Sequence, residues 1–466
     1  FWLKPLPSDS AVLGHSEACA MAPPAAKKAK TDEPEKAEQA EEAKETAEEK
    51  PAEEPKKEGP PPELEKDAPA AKGNKIKEPV AFHTPDTTMN CVFSAYGNIL
   101  MPLTDGGLQF LLAGARSSVG LKAGRYFFEA KVLEIQSPAE DPTARQRAPM
   151  PKNQLSIGVA TSAASLFLGD GEESICFNME GACVHNKKKE VCSQKFGQGD
   201  VVGLLLNLDS QSPNANTVSL FKNGVRACQP KPLPDALKGK ELFPAFTFRN
   251  LTFHYNFGSK PLKSLPFTCH MVKDALAKDA SVTPAPEKPK DGKYEAVFPV
   301  CLPDEGTFDW LDLHLRANRH FTELSDRAIL AWAEKSGLTP SKAAKTSNDK
   351  PEMGFGLREL DDGSVRRVIN TVAPLQARNF VVMELKGNLV QKERKETVAH
   401  FPSNLFKKTA QVIVGDPTAD FKKKTHEMVL KQKQEQSDIE FRAKKAEEMR
   451  QKLMQKRAKE LEKAKK

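Results

Sequence analysis

Eight cysteines and nine histidines supply the side chains that metals and nucleophilic catalysis require, so their spacing is weighed first. Cys19, Cys91, Cys176, Cys183, Cys192, Cys228, Cys269 and Cys301 contain no CxxC pair. Cys176, Cys183, His185 and Cys192 form the one local group of ligand-type residues. Structural zinc sites hold their ligands in tightly spaced pairs, which this group lacks. The reading is therefore free thiols in a reducing compartment, with no metal and no cofactor. Acid–base catalysis fares no better. His83, His185 and His254 lie far apart with no motif around any of them. Asp361-Asp362 is the nearest approach to a paired carboxylate, but adjacent residues ahead of a glycine diverge as a turn. The chain reads as non-catalytic.

Two lysine clusters carry binding chemistry instead. Lys27, Lys28 and Lys30 stand in a Pro-flanked polar segment with no acidic residue before Asp32. A short basic run that can lie extended in an acidic groove is what a nuclear-import receptor reads, so these residues are the candidate import signal and the nucleus the expected location. Lys187-Lys188-Lys189 concentrates positive charge in a second place. It is a candidate surface for an acidic partner, and equally a solvated loop.

The formal net charge of +7 is not spread along the chain. Residues 421–466 hold 16 Lys and Arg against 8 Asp and Glu, which leaves the preceding 420 residues at −1. The basic balance belongs to the C-terminal tail, which could attract RNA phosphates in a strongly salt-dependent way. RNA binding through this tail is the alternative function. No apolar run reaches 18 residues, so no membrane-spanning helix is expected. Residues 1–20 lack the long apolar core of a signal peptide. The chain opens with Phe, so it reads as a fragment with Met21 as a plausible start, and the C-terminus stops in mid-pattern.

The elements that would position these residues differ along the chain. Residues 1–79, dominated by Ala, Glu, Lys and Pro, bury too little apolar surface to offset chain entropy and are expected to be a disordered charged tail. Residues 80–262 read as frequent short strands. Asn90 to Phe93, Leu108 to Leu112 and Arg125 to Val132 are expected strands. Val201 to Leu208 is apolar throughout, as for a strand covered on both faces. Asn223-Gly224, between TVSLFK and VRA, marks a hairpin turn because both positions of that turn need positive φ. Strands this frequent with no helical period between them predict an antiparallel sandwich. Residues 263–296 read as a linker. Residues 297–415 suggest a small α+β module: a helix over 308–321, a second capped by Ser325 and ended at Gly337, with Trp310 and Trp332 as anchors, a turn at Asp362-Gly363 and a strand in NFVVMELKG. Residues 416–466 predict a long charged helix. Its acid-first i,i+4 pairs support a solvated helix, and Val429, Ile439, Met449, Leu453 and Leu461 do not hold the heptad a coiled coil needs.

The segments GRYFFEAKV, LSIGVA, GDVVGLLLNLD, TVSLFKNG and LFPAFTF, followed by FHYNFG, occur in the order found in SPRY domains. The stretch 82–262 resembles that family, and within it the group of heterogeneous nuclear ribonucleoprotein U. The resemblance implies a two-sheet antiparallel sandwich that recognises a protein or peptide through its loops. Candidate loops are Gln136–Lys152, Ala163–Glu173, His185–Gly197 and Asp209–Asn216, expected at one end of the sandwich. That group also carries a DNA-binding segment, a P-loop domain and an Arg-Gly-rich tail. Here there is no GxxxxGK[ST] and no Arg-Gly-Gly repeat, so no nucleotide is expected.

Overall fold

Val201–Leu208 sits at the centre of the fold because it has no polar face. It pairs antiparallel with Thr217–Lys222 on one side and Gly124–Ile135 on the other. The computed structural model of the protein describes residues 65–464 apart from 69–72, 95–96, 139–149, 288, 302–306, 340–354, 356, 358–359, 361–370, 384–390 and 414–418. The disordered-tail expectation for residues 1–64, the import signal at Lys27, Lys28 and Lys30, and the turn at Asp361-Asp362 fall outside the described residues.

Two antiparallel sheets form the sandwich. One runs Phe82–Thr87, Ala113–Ser117, Phe243–Arg249, Gln154–Ala160, Ser174–Asn178, Ala182–His185, Lys188–Val191. The other runs Val225–Arg226, Thr217–Lys222, Val201–Leu208, Gly124–Ile135, Leu251–Asn256, Ile99–Pro102, Cys91–Phe93. Their inner faces meet through Phe128, Phe246, Phe248 and Phe253, each fully buried. Ring centroids stand 5.9 Å apart for Phe128–Phe246 and 5.0 Å for Phe248–Phe253, the edge-on geometry that aromatic quadrupoles favour. The hairpin at Asn223-Gly224 forms as expected, with φ of 53° and 86°.

The outer face of the second sheet is covered too. Phe127, Leu205 and Phe221 pack there with Phe267 and Met271. Gly203 makes this fit possible, since a Cβ on it would lie 2.0 Å from the Phe127 ring. Phe267 and Met271 come from the stretch read as a linker. It is instead laid along the sandwich: His270–Met271 pairs parallel with Gly124–Ile135, and Ala280–Val282 pairs with Val119–Leu121. Its sparse apolar residues land where this sheet would otherwise be wet.

One expected strand is not a strand. Leu108 to Leu112 begins as a 3-10 helix, Gly106–Phe110. Gly106 takes a positive φ of 55°, which turns the chain, and Leu108, Phe110 and Leu111 pack away from the sandwich. They join Phe298, Leu324, Ile329, Trp332 and Phe380 in a second core. That core belongs to a four-stranded parallel sheet ordered Phe321–Ser325, Asn379–Met383, Tyr294–Cys301, Phe406–Ile413. The 297–415 module is thus a parallel layer. Its helices include Thr307–Ala317 and Asp326–Lys335, the second capped by the Ser325 hydroxyl, which accepts from the Ala328 amide at 3.0 Å.

The two layers are clamped by polar contacts as well as packed. Trp332 Nε1 donates to the Leu112 carbonyl at 2.8 Å, and the Leu112 amide donates to Ser336 Oγ at 2.9 Å. Arg249, buried in the seam, donates through Nη1 to the carbonyls of Phe110 and Ser336 at 3.0 and 2.9 Å, and through Nε to that of Lys152 at 2.8 Å. Helix Ala419–Ala464 closes the described chain. Ile439, Phe441, Met449 and Leu453 on it are exposed, as a solvated helix requires.

Candidate functional site

Cross-strand pairing sets Arg125 directly opposite Asn207 at one end of the second sheet. Asn207 closes an otherwise apolar strand and is 1% exposed. The loop that follows folds back on Asn207. Asn207 Oδ1 accepts from the Asp209 amide at 3.1 Å, and its Nδ2 donates to Ser212 Oγ at 2.8 Å. Thr217 Oγ1 donates to the Asn214 carbonyl at 2.7 Å, and Asn216 takes a φ of 57° at the turn into Thr217–Lys222.

The three side chains converge on the carboxylate of Glu65. Arg125 Nη1 lies 2.6 Å from Oε2, and Asn207 Nδ2 and Asn214 Nδ2 donate to Oε1 at 3.3 and 3.1 Å. The Glu65 side chain is 1% exposed. Arg125 also donates through Nη2 to the Lys66 carbonyl at 2.6 Å and lies 5.7 Å from the Phe267 ring centroid. One guanidinium thus reads both a side-chain carboxylate and the backbone beside it. Two residues on, Asp67 Oδ1 accepts from the Thr268 amide at 2.6 Å, a bond that holds this carboxyl below its usual range. The Ala68 amide returns a bond to the Thr268 carbonyl at 2.8 Å. Residues 65–68 lie in the stretch whose composition predicts a disordered charged tail, yet the side chains of Glu65 and Asp67 find dedicated donors on the sandwich.

Lys187, Lys188 and Lys189 lie elsewhere. Asn186 and Lys187 form a tight hairpin turn with φ of 47° and 62°. Lys188 and Lys189 belong to Lys188–Val191, the terminal strand of the first sheet, all of whose residues are exposed. Lys187 Nζ is 3.6 Å from Asp170 Oδ1, an exposed contact that contributes little. The three lysines therefore stand together at a sheet edge. Two of the candidate loops begin at opposite ends of one strand. Asp209–Asn216 meets the Gly124 end of Gly124–Ile135, and Gln136–Lys152 leaves from the Ile135 end. A twelve-residue strand separates them, too long for one loop surface.

The ligand-type cysteines are free thiols, and Cys183, Cys192 and Cys228 lie near one another. Cys176 is buried against Gly158, and burial pushes its pKa up. Cys192 is half-buried beside Cys228, whose thiol holds it down to about 7. Among the described residues no group of three His, Cys, Asp or Glu is placed to hold a metal ion. His83 and His185 lie in the first and sixth strands of one sheet, and His254 lies in the other sheet. The Glu65 seat was missed because Arg125, Asn207 and Asn214 look unremarkable in isolation. The available signal was polarity at the ends of buried strands.

The structure is thus an antiparallel two-sheet sandwich that holds the Glu65 carboxylate of its own chain. Residues 150–260 match the SPRY domain family, and the sandwich is a SPRY domain. The chain is 24% identical over 308 residues to heterogeneous nuclear ribonucleoprotein U-like protein 2 of Mus musculus, and 24% over 311 residues to that of Homo sapiens. Each match covers 64% of this chain and 38% of the relative, so the chain spans well under half of those proteins. It is 28% identical over 154 residues to the ATP-dependent RNA helicase Ddx1 of Drosophila melanogaster, covering 33% of this chain and 18% of the relative. The solved SPRY domain of human HERC1 aligns over 38% of this chain and 96% of its own at 19% identity with a TM-score of 0.28. A second human SPRY domain aligns over 38% and 99% at 15% identity and a TM-score of 0.27. No described helix is long and apolar enough to cross a membrane.

Proposed function

We propose that this chain is a non-catalytic nuclear interaction protein whose SPRY sandwich takes an acidic segment of a protein partner, within ribonucleoprotein complexes. The observation that carries the reading is the Glu65 seat, where Arg125, Asn207 and Asn214 already hold a carboxylate and the adjoining backbone. A surface that binds an acidic strand in cis has the donors to bind one in trans. Lys187, Lys188 and Lys189 add a positive edge that would draw an acidic partner by long-range attraction. The nuclear and ribonucleoprotein parts rest on Lys27, Lys28 and Lys30 and on the U-like relatives.

The test uses the full chain with Glu65→Ala and a labelled peptide of residues 61–70. The peptide should bind this variant more tightly than the wild type, whose own Glu65 competes, and binding should be lost when Arg125→Ala is added. Reversing Lys187, Lys188 and Lys189 to Glu should slow capture of the peptide's acidic end. A peptide that ignores Arg125 would sink the proposal. For location, a fluorescently tagged chain with Lys27, Lys28 and Lys30 changed to Ala should lose nuclear enrichment; unchanged distribution would remove the import signal from the account.

A further inference from the structure

Between the sandwich and the parallel layer lies a cavity of about 720 Å³, closed on one side by residues 371–378. Its walls are mainly apolar, with Cys91, Phe93, Leu103, Leu108, Val372 and Leu375 among them. Arg378, 7% exposed, also lines it. Its guanidinium has weak company. Nη1 reaches the Thr87 carbonyl at 3.2 Å, Nη2 reaches Thr87 Oγ1 at 3.4 Å, and Nε has no partner. Gln376, on the same wall, leaves its buried Oε1 unbonded.

Arg249 settles its guanidinium on three backbone carbonyls, and two other arginines settle theirs on a carboxylate. Arg116 holds Asp86 at 2.5 Å together with the carbonyls of Thr161 and Ala164 at 3.0 and 2.9 Å. Arg125 holds Glu65. Among the described residues Arg378 has no carboxylate against it. The ionisable group facing it is the Cys91 thiol, which burial pushes up to about 12 and so keeps neutral. Burial also brings Arg378 down to about 10, so it stays charged at neutral pH. Asp105, the acidic residue of the lining, is exposed on the rim. A buried cation with no counter-charge is destabilising, and a bound anion would offset that.

The chemistry of the walls narrows the anion. The Nε edge of a guanidinium presents parallel donors to two oxygens in one plane, which is carboxylate geometry. A phosphate would bring up to two negative charges to a single cation. A peptide would bring amides that apolar walls cannot satisfy. The volume lies within the roughly 300–1,000 Å³ typical of small-molecule sites. We propose that this cavity binds a small organic carboxylate, with its oxygens on Arg378 and its hydrocarbon body along Phe93, Leu108, Val372 and Leu375.

Isothermal titration of the full chain with octanoate, octanamide and inorganic phosphate tests this. Octanoate should bind, and octanamide should bind at least about tenfold more weakly, the smallest loss expected for a charge-assisted pair. Arg378→Met should abolish octanoate binding while raising the Tm of the free protein, because it removes an uncompensated buried charge. Leu375→Glu, at a residue 79% exposed, should weaken octanoate several-fold by repulsion and loss of apolar wall, without touching the core. Equal binding of octanoate and octanamide would overturn the proposal. So would phosphate binding in place of octanoate, a lowered Tm or lost fold in Arg378→Met, or octanoate affinity unmoved by Leu375→Glu.

Discussion

Arg249 and Arg125 are both largely buried, and they are settled in opposite ways. Arg249 sits in the seam between the sandwich and the parallel layer and spends its donors on three backbone carbonyls, those of Phe110, Ser336 and Lys152. Arg125 sits at the end of a strand and spends its donors on Glu65 and Lys66, from a segment some sixty residues earlier in the chain. Carbonyls of packed elements cannot withdraw, so the seam is permanent. A carboxylate on a short docked segment can leave and be replaced by another. The difference separates a structural joint from the proposed recognition seat, even though both are built from one guanidinium. Burial alone pulls the Arg249 pKa down, whereas no carboxylate in the seam opposes it. Such a site is tolerable only where the hydrogen bonds are complete.

The sharpest way to break this contrast is at the seam. Arg249→Met keeps the stem and removes the donors, leaving the buried carbonyls of Phe110 and Ser336 without that partner. Each buried acceptor so abandoned costs about 1–3 kcal/mol, so the loss should reach about 3 kcal/mol or more. Urea unfolding followed by Trp fluorescence would report it, since Trp332 lies at the same joint. A midpoint within experimental error of the wild type would show that packing through Phe110, Leu111 and Phe380 holds the layers together without the clamp.

Much of this architecture is legible in the residues. Val201–Leu208 declares its two covered faces by being apolar at every position but Asn207, and Asn223-Gly224 declares its turn because few other pairs accept positive φ twice. Ser325 announces a helix start that the structure places where the hydroxyl meets the Ala328 amide. The SPRY sandwich follows from segment order. What stays hidden is long-range. Leu108 to Leu112 reads as a strand because its composition is that of one, yet its partners are Phe298 and Trp332, roughly two hundred residues away. The parallel order of the 294–413 sheet cannot be read from local pattern, since it depends on which strand returns beside Tyr294–Cys301. The covering segment around Phe267 and Met271 looks like a linker because a few apolar residues suffice to seal a sheet face. The Glu65 seat is hidden for the same reason. Its four side chains stand at 65, 125, 207 and 214, and only folding shows that they share one carboxylate.

The seat offers the smaller effect and the finer test. Arg125→Met alone would strand Glu65 in a dry place if the segment stayed docked, but the segment is free to undock, so the cost is capped by what docking contributes. Glu65→Gln removes the charge and keeps an acceptor for Asn207 and Asn214. Combining the two variants should give a coupling of about 1–2 kcal/mol, within the range for directly contacting charged groups. The same pair should respond to salt only weakly, because a carboxylate 1% exposed is shielded from ions. Limited proteolysis gives an independent readout. Each single variant should speed cleavage near residue 70 while leaving cleavage around Gly337 unchanged, because the seam does not depend on the seat. Coupling near zero, or cleavage that accelerates at both places together, would mean that Glu65 is another fixed strut of the fold and that the contrast with Arg249 does not exist.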